Sequence, residues 1–170
     1  MTRVFVAYTT RFGSTHEVAS AIVHELNSVG LQAHSAEAGS ALNPDDFYAF
    51  VIGSPMYGGK WMPDAAMFTA IVAKRIGSKP VALFSVGTLG VNNPDAGHAE
   101  HTAFVERIGS VAPGLNVISD TDFTGYFERG NLPWYLRIVD RFVPNPQGDH
   151  RDWATIKEWA RSLAPELTGE

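Results

Sequence analysis

Apolar residues along this chain fall into short runs separated by stretches of helical spacing. The runs Val4–Tyr8, Ala49–Gly53 and Pro80–Val86 show no regular alternation of apolar and polar residues. A strand covered on both faces has this pattern, so each run predicts a buried strand of a parallel sheet. Two more polar segments, Leu31–Ala36 and Leu115–Ser119, predict further strands, and the first of them suits a sheet edge.

Between these runs, apolar residues recur three and four positions apart, which predicts amphipathic helices. One helix begins near Ser14, and a second opens at Pro63, a residue favoured in the first turn. A third is expected from about His98 to Val111, and a last helix is capped by Asp149 or Asp152. Strands alternating with helices predict an α/β fold with a doubly wound, five-stranded parallel sheet in the order 2-1-3-4-5.

The predicted topology also indicates where a ligand should bind. In a doubly wound sheet the site lies beyond the carboxyl ends of the strands, at the point where the strand order reverses. The connections that meet there are residues 9–15, 54–62 and 85–95. We therefore take these three connections as the candidate binding site.

The connection after the first strand has the composition of an anion site. A helix N-terminus offers unpaired N–H groups and a partial positive charge, which suit a phosphate. Gly13 allows close approach of the backbone, and hydroxyl groups add uncharged donors. The alternative is a capping box formed by Ser14 and Glu17, but capping requires one hydroxyl and this turn has four. The predicted phosphate-binding residues are Thr9, Thr10, Arg11, Phe12, Gly13, Ser14 and Thr15.

The other two connections are rich in glycine. In the second, Tyr57 and Trp61 flank paired glycines, which places flat apolar faces beside an approachable backbone. This combination suits a planar ring system, although Trp61 is equally expected to pack against the following helix. The third connection offers backbone groups to the edge of a heterocycle. The predicted cofactor contacts in the two connections are Ser54, Pro55, Met56, Tyr57, Gly58, Trp61, Ser85, Val86, Gly87, Thr88, Leu89 and Gly90.

The composition narrows the chemistry further. The 170 residues suffice for one domain with a full core, and the net charge of −5 argues against a nucleic-acid partner. The chain has no cysteine, which excludes disulfides, thiolate nucleophiles and cysteine-ligated metal clusters. Redox chemistry would then need a bound cofactor. Because no apolar stretch is long enough for a signal peptide or a membrane span, we expect a cytoplasmic protein.

Two histidines three residues apart, His98 and His101, raise the question of a metal site. Zinc normally takes three or four protein ligands, and the sequence shows no third ligand nearby. We interpret both residues as surface histidines at the start of a helix and predict no metal site. A Ser-His-Asp hydrolase is also not expected, because the sequence contains no G-x-S-x-G motif.

The first connection resembles the phosphate loop T-x-T-G-x-T of flavodoxins, with Thr10, Gly13 and Thr15 at matching positions. Phe12 departs from that pattern, and the turn 9–15 as a whole is more similar to the flavodoxin-domain dehydrogenases, the family of the menaquinone-dependent protoporphyrinogen IX dehydrogenases. The resemblance implies FMN, held by its monophosphate, rather than FAD. It also implies an oxidoreductase that passes electrons between an organic donor and a quinone-type acceptor.

The resemblance has a consequence for the flavin ring. Small flavodoxins place the ring between two aromatic side chains, one from each of the second and third connections. No aromatic residue lies between Ser85 and Ala103, so one face of the ring would be open to a substrate. Few acidic residues flank the connections, since Asp64 and Asp95 are offset by Lys60. Low acidity leans toward two-electron chemistry, because low-potential carriers surround the reduced flavin with negative charge.

Residues 125–148 form an insert between the fifth strand and the last helix of a single domain spanning residues 1–170. The insert is too long for an ordinary connection, and Pro133 to Val143 within it predict a short helix. One face of this helix carries Trp134, Ile138 and Phe142.

A comparable insert, rich in aromatic residues and arginines, is typical of the dehydrogenase family. The resemblance implies contact with a small redox substrate, a quinone or a porphyrinogen, or peripheral contact with a membrane. The alternative is that the arginines are solvated helix charges. The candidate substrate residues are Trp134, Arg137 and Arg141.

Two other functions remain open on the sequence. The protein could be a one-electron carrier of the flavodoxin type that docks on redox partners. It could also be a binding or regulatory module that uses the phosphate loop without redox chemistry. No side chain is assigned a catalytic role, and the sequence does not indicate an oligomeric state.

Overall fold

The computed structural model describes residues 1–40, 43–140 and 146–168 and shows an α/β fold built on a parallel sheet. The five parallel strands are β1 (Arg3–Tyr8), β2 (Gln32–Glu37), β3 (Ala49–Tyr57), β4 (Pro80–Gly87) and β5 (Asn116–Thr124). They lie in the order β2-β1-β3-β4-β5, so the predicted fold class and strand order are confirmed. A two-residue strand, Lys60–Trp61, folds back antiparallel on the end of β3.

Helices connect the strands and follow them. They are α1 (Ser14–Ser28), α2 (Pro63–Ile76), α3 (Leu89–Asn92), α4 (Pro94–Val111), α5 (Trp134–Asp140), α6 (Trp153–Ser162) and α7 (Ala164–Thr168). Single 3₁₀ turns lie at Pro44–Asp46 and Arg129–Asn131. The helix predicted from His98 begins four residues earlier, because Asn93 caps its first turn by accepting from the Ala96 N–H. Asp152, rather than Asp149, caps the last predicted helix.

The helices cover both faces of the sheet and form two cores. On one face, α1 and α6 pack on alternate strand residues such as Val6 and Phe84. On the other face, α2 and α4 pack on the intervening residues, including Ile52 and Leu83. Gly53 is required opposite Phe84 of the neighbouring strand, since an added Cβ would lie 2.0 Å from the Phe84 ring.

Two strands, β3 and β5, are longer than the sequence predicts by four and five residues. Ser54 and Pro55 still pair with Ser85 and Val86 in the sheet, so these residues are buried strand residues and not the start of loops. Polar and proline residues at these positions concealed the continuation of the strands. β5 also continues five residues past Ser119, and four of these five residues are polar, which an edge strand that faces solvent allows.

The insert predicted between residues 125 and 148 has some structure of its own. Tyr126–Phe127 pairs antiparallel with Gly148–Asp149, so the two ends of the segment form a small ribbon. The helix predicted to run to Val143 is described only as Trp134–Asp140. Arg141 and Phe142, assigned from the sequence to the two faces of this helix, lie outside the described residues.

Candidate functional site

The turn between β1 and α1 leaves several donors open. Gly13, with φ of +91°, occupies the N-cap position of α1, and no side chain caps the helix. The first backbone hydrogen bond of the helix runs from the Glu17 N–H to the Gly13 carbonyl, at 3.1 Å. Among the described residues, the N–H groups of Ser14, Thr15 and His16 therefore have no acceptor. Three such groups at the positive end of a helix form an anion site.

The capping box that we considered as an alternative is not formed. Ser14 is the first residue of the helix rather than its cap, and Glu17 does not bond back to the cap position. The Glu17 carboxylate instead accepts from Arg151, at 2.5 Å. Glu17 is therefore engaged elsewhere, and the open N–H groups remain available to a ligand.

Thr15 adds a buried hydroxyl without a partner to these open N–H groups. The residue is 1% exposed, and its Oγ1 is the one buried side-chain N or O atom that lacks a partner within the described part of the chain. A buried hydroxyl without a hydrogen bond is costly, and such groups are rare in folded proteins. An oxyanion at the helix N-terminus would provide an acceptor for this hydroxyl, so the residues present fit a phosphate.

Two of the four hydroxyls predicted to bind phosphate are used within the protein. Thr9 Oγ1 donates to Ser54 Oγ at 3.0 Å, and Ser54 Oγ also accepts the Met62 N–H. Thr10 Oγ1 accepts the Gly13 N–H at 2.9 Å and so shapes the turn. Thr9 and Ser54 therefore join β1 to β3 through buried hydroxyls, and sequence reasoning could not distinguish this role from ligand binding.

The second connection is shorter than predicted, because β3 continues to Tyr57. Gly58 and Gly59, with φ of +55° and +71°, make a tight hairpin turn between Tyr57 and Lys60. The Tyr57 ring is half exposed, and the guanidinium of Arg11 lies 5.9 Å from its centre. One cleft is lined by Arg11, Tyr57 and Lys60 together with Thr10, Trp61, Met62 and Pro63. The cleft thus combines two cationic side chains with an exposed aromatic face beside the open N-terminus of α1.

Trp61 packs in the core instead of offering a face to the cleft. Its side chain is 4% exposed and stacks on Phe104 of α4, with ring centres 4.6 Å apart. The indole Nε1–H donates to Ser85 Oγ at 2.8 Å. Of the two interpretations of Trp61, this burial supports packing.

The third connection lines a separate small pocket. Gly87, Leu89 and Gly90 face it, together with Met56, Ser85, Gly97, Glu100, His101, Asp122, Phe123 and Thr124. The sequence prediction of local charge left out both carboxylates of this set, because Asp122 lies beyond the predicted end of β5 at Ser119 and Glu100 lies on the helix after the third connection. The surroundings of the third connection are consequently more acidic than Asp64, Asp95 and Lys60 alone predict.

The prediction that both histidines lie on the surface is wrong for His101. His98 is exposed and lies 3.3 Å from Asp122, whereas His101 is 1% exposed. His101 Nδ1 is 2.8 Å from Ser85 Oγ, and its Nε2 is 3.1 Å from Asp120 Oδ1. The signal was present, since His101 precedes the apolar Phe104 and Ile108 at helical spacing.

These side chains form neither a metal site nor a hydrolytic centre. No group of three or more potential metal ligands occurs in residues 1–40, 43–140 and 146–168. Ser85, His101 and Asp120 are the residue types of a hydrolase triad, but Ser85 is 2% exposed and its Oγ already accepts from Trp61. A nucleophile must reach its substrate, so this cluster is structural.

The candidate substrate residues of the insert are well exposed where they are described. Trp134 is 73% exposed, and Tyr135 and Ile138 beside it are also exposed. Arg137 donates to the carbonyls of Leu132 and Gly130, at 2.8 and 2.7 Å. Its guanidinium therefore holds the start of α5, while Arg141 lies outside the described residues.

A buried arginine joins the end of the insert to the anion site. Arg151 bonds Asp149 on the ribbon and Glu17 on α1, and its guanidinium lies 4.5 Å from the centre of the Trp153 ring. The Asp149 carboxyl has a lowered pKa because it accepts hydrogen bonds from this guanidinium. The first turn of α1 is thus fixed from the side of the insert.

Fold and site together define an α/β domain in which a helix terminus with open N–H groups lies where the strand order reverses. The family model of the flavodoxin domain matches residues 5–115. This range is more than half of the chain, so the chain belongs to the flavodoxin domain family.

The individual relatives and solved structures that match the chain have low sequence identity to it. Protoporphyrinogen IX dehydrogenase (quinone) of Escherichia coli K12 is 22% identical over 176 residues, which cover 95% of this chain and 94% of the relative. A short-chain flavodoxin associated with a PDU bacterial microcompartment has a similar fold, with a TM-score of 0.65 and 12% identity over 98% of this chain and 99% of that one. The flavodoxin of Streptococcus pneumoniae TIGR4 also has a similar fold, with a TM-score of 0.61 and 14% sequence identity, and the match covers 98% of each chain.

The described helices were also compared with the dimensions of a bilayer. Within residues 1–40, 43–140 and 146–168, none has the length and apolarity required to span one.

Proposed function

We propose that this protein binds FMN at the carboxyl edge of its sheet and acts as a flavin-dependent oxidoreductase. The observation that carries the proposal is the buried, unpartnered Thr15 Oγ1 beside three open N–H groups of α1. A terminal phosphate supplies the acceptors that these donors lack. The turn holds one phosphate group, which favours FMN over FAD.

The remaining parts of the cleft suit the rest of the cofactor. Arg11 and Lys60 provide positive charge at the cleft, and the exposed Tyr57 ring offers a face for a planar heterocycle. Bound FMN supplies reversible transfer of one or two electrons. The protein's part is to bind and orient it, and no described side chain is needed as a proton donor for that role.

We further propose two-electron transfer to a quinone-type acceptor at the cytoplasmic face of a membrane. The support is the likeness over almost the whole chain to a protein named as a quinone-linked protoporphyrinogen IX dehydrogenase. The third connection also carries no aromatic side chain, which leaves room for a substrate at the ring. A porphyrinogen is a second candidate substrate on the same grounds.

The insert is the proposed acceptor surface. Trp134, Tyr135 and Ile138 expose apolar area on one short helix, and this area suits an apolar quinone or the membrane interface that contains it. Arg137 is engaged by backbone carbonyls, so its proposed role is to hold this helix rather than to bind an anionic substrate directly.

A one-electron carrier is the second candidate function. Glu100 and Asp122 place carboxylates beside the third connection, and negative charge near the ring favours a low-potential carrier. The purified protein is mixed with a water-soluble quinone and an excess of an electron donor that reduces the flavin but reacts only slowly with the quinone, and quinone reduction is compared with a sample without protein. Rapid multiple turnover supports the dehydrogenase, whereas stoichiometric electron transfer without turnover supports the carrier.

Flavin binding itself is tested by titration. The purified protein, stripped of any flavin, is titrated in parallel with FMN, FAD and riboflavin, and binding is followed by fluorescence quenching. We expect FMN to bind most tightly. Preferential binding of FAD, or no binding of FMN, contradicts the proposed function.

A further inference from the structure

One arrangement of protons gives every polar group of the buried cluster around His101 a partner. An indole N–H can only donate, so Ser85 Oγ must accept from Trp61. The Ser85 hydroxyl proton then points to His101 Nδ1, which accepts it at 2.8 Å. The remaining ring nitrogen, Nε2, carries the proton and donates to Asp120. The network is complete when His101 is neutral.

This network anchors one wall of the cleft. Trp61 ends the hairpin that begins at Tyr57, and Ser85 lies near the end of β4. From the same side of α4, Phe104 stacks on Trp61 and Arg107 donates to the Gly59 carbonyl. α4 thus contacts the hairpin directly through Phe104 and Arg107, and His101 is linked to it through Ser85, which accepts from Trp61.

We propose that His101 is a positioning residue for the flavin ring, and that uptake of a proton by its Nδ1 loosens the hairpin and the end of β4 and weakens ring binding. The inference rests on the proposed function, because the hairpin carries Tyr57 and lines the cleft assigned to FMN. It deepens that function by making binding of the ring, but not of the phosphate, depend on pH.

The physical reason is the loss of a buried acceptor. When Nδ1 is protonated it becomes a donor, so Ser85 Oγ must accept from both Trp61 and His101. Its own hydroxyl then loses the acceptor it had in a site that is 2% exposed. The hydroxyl can regain an acceptor only if the strand end or the hairpin moves.

The charges around His101 act in both directions. Asp120 and Asp122 on β5 favour the protonated ring, while His98 on the same helix opposes it, and Glu100 lines the same pocket. Burial has the largest effect and lowers the pKa of His101. Ser85 and Trp61, which face the ring from β4 and the hairpin, carry no charge. His101 is therefore neutral at pH 7 and takes up a proton only in acid.

Riboflavin is the probe for ring binding, because it has no phosphate whose own titration would interfere. Its affinity is measured between about pH 8 and pH 5, the range in which histidines titrate. We expect about a tenfold loss for the unmodified protein, which corresponds to one lost hydrogen bond. His101→Gln keeps a donor and an acceptor without a titrating group, so its affinity should be flat over this range. His98→Gln, on the exposed surface of α4, is the matched control: it should keep the pH dependence, with the midpoint moved toward higher pH because His98 no longer opposes protonation of His101.

A readout without flavin separates this inference from the proposed function. In the flavin-free protein, the indole N–H resonance of Trp61, assigned with Trp61→Phe, should shift with the same midpoint as the imidazole resonances of His101. Equal riboflavin affinity at both ends of the pH range, retained pH dependence in H101Q, or an indole resonance that ignores His101 overturns the inference. Failure of the unmodified protein to bind FMN at any pH overturns the proposed function, while the indole titration still decides whether the network transmits the proton.

Discussion

The two sides of the cleft differ in whether their polar groups have hydrogen-bond partners. At the turn before α1, three N–H groups and the Thr15 hydroxyl have no partner among the described residues. Beside α4, the side-chain groups of Trp61, Ser85 and His101 are fully paired with one another and with Asp120. Both regions contain buried hydroxyls near glycines, so composition alone does not distinguish them.

This difference in hydrogen bonding distinguishes groups that can bind a ligand from groups that hold parts of the fold in position. Buried polar groups must be satisfied, and a set left open in the protein is completed by something that the protein binds. A set that is already closed has no capacity for a ligand, but it fixes the elements that carry it. This contrast supports the proposed function, in which the side toward α1 binds the charged end of the cofactor and the side toward α4 holds the wall beside its ring.

The largest expected effect comes from removing the unpaired hydroxyl on the α1 side of the cleft. Thr15→Val keeps the shape of the side chain and removes its hydroxyl, so FMN should lose about 1.5–3 kcal/mol of binding free energy. Riboflavin, without a phosphate, should bind as before. The flavin-free variant should be at least as stable as the unmodified protein, because a buried unpaired hydroxyl is removed. Parallel titrations and urea unfolding measure the three quantities, and an equal loss for riboflavin would show that Thr15 acts structurally.

The next largest effect is expected from removing the central hydroxyl of the paired network on the α4 side of the cleft. Ser85→Ala leaves both the Trp61 indole N–H and His101 Nδ1 without their partner, so the free energy of unfolding should fall by about 1–3 kcal/mol. The matched control is Ser110→Ala, since Ser110 lies on the exposed face of α4 and bonds only to a backbone carbonyl. Its effect should stay within about 0.5 kcal/mol. If the two variants unfold at the same urea concentration, the network does not stabilise the fold.

A smaller effect comes from pH. Burial lowers the pKa of His101, so the unfolded chain takes up a proton at this residue before the folded chain does. The neutral, buried His101 therefore contributes stability that is fully present above the ordinary histidine pKa of about 6.5. This contribution is lost as the pH falls through the lower pKa that His101 has in the folded protein. We expect the free energy of unfolding of His101→Gln to depend less steeply on pH in this window than that of the unmodified protein. Urea unfolding at several pH values measures it, and identical slopes would contradict a neutral buried His101.

Sequence analysis predicted the parallel sheet and its order because buried strands and amphipathic helices carry strong, local patterns. It failed where the pattern ends before the strand does. Pro55 and Asp122 lie on strands whose last residues are polar or break the apolar run, and pairing with neighbouring strands holds them in place. Pairing is a property of distant residues, so no local pattern could reveal it.

The candidate site shows the same limit at the level of side chains. Gly13 and Thr15 were placed correctly at a helix N-terminus, because a strand, a glycine turn and a helix follow one another in sequence. Thr9 was expected in the same role, yet it bonds Ser54, 45 residues away. Burial of His101 depends on a helix that begins at Pro94, and the spacing to Phe104 was the one sequence signal for it.

The smallest expected effect on stability concerns the insert, which belongs to neither side of the comparison. Trp134 is largely exposed, so Trp134→Ala should change the free energy of unfolding by no more than about 0.5 kcal/mol. FMN binding should also be unchanged. If the exposed aromatic side chain covers an apolar acceptor, the apparent affinity for a quinone should fall by about 1–2 kcal/mol. Stopped-flow reoxidation of the reduced protein at several quinone concentrations measures that affinity.

Met67→Ala provides the matched control for this last change. Met67 is also an exposed apolar residue, but it lies on α2 beside the edge of the sheet formed by β2. Its removal should leave quinone reoxidation unchanged, so a loss confined to Trp134→Ala assigns the acceptor surface to the insert. An equal loss in both variants would indicate nonspecific adsorption of quinone to apolar surface. Unchanged kinetics in both would remove the insert from the reaction, and a loss of stability in Trp134→Ala would mean that its ring packs against the protein in solution.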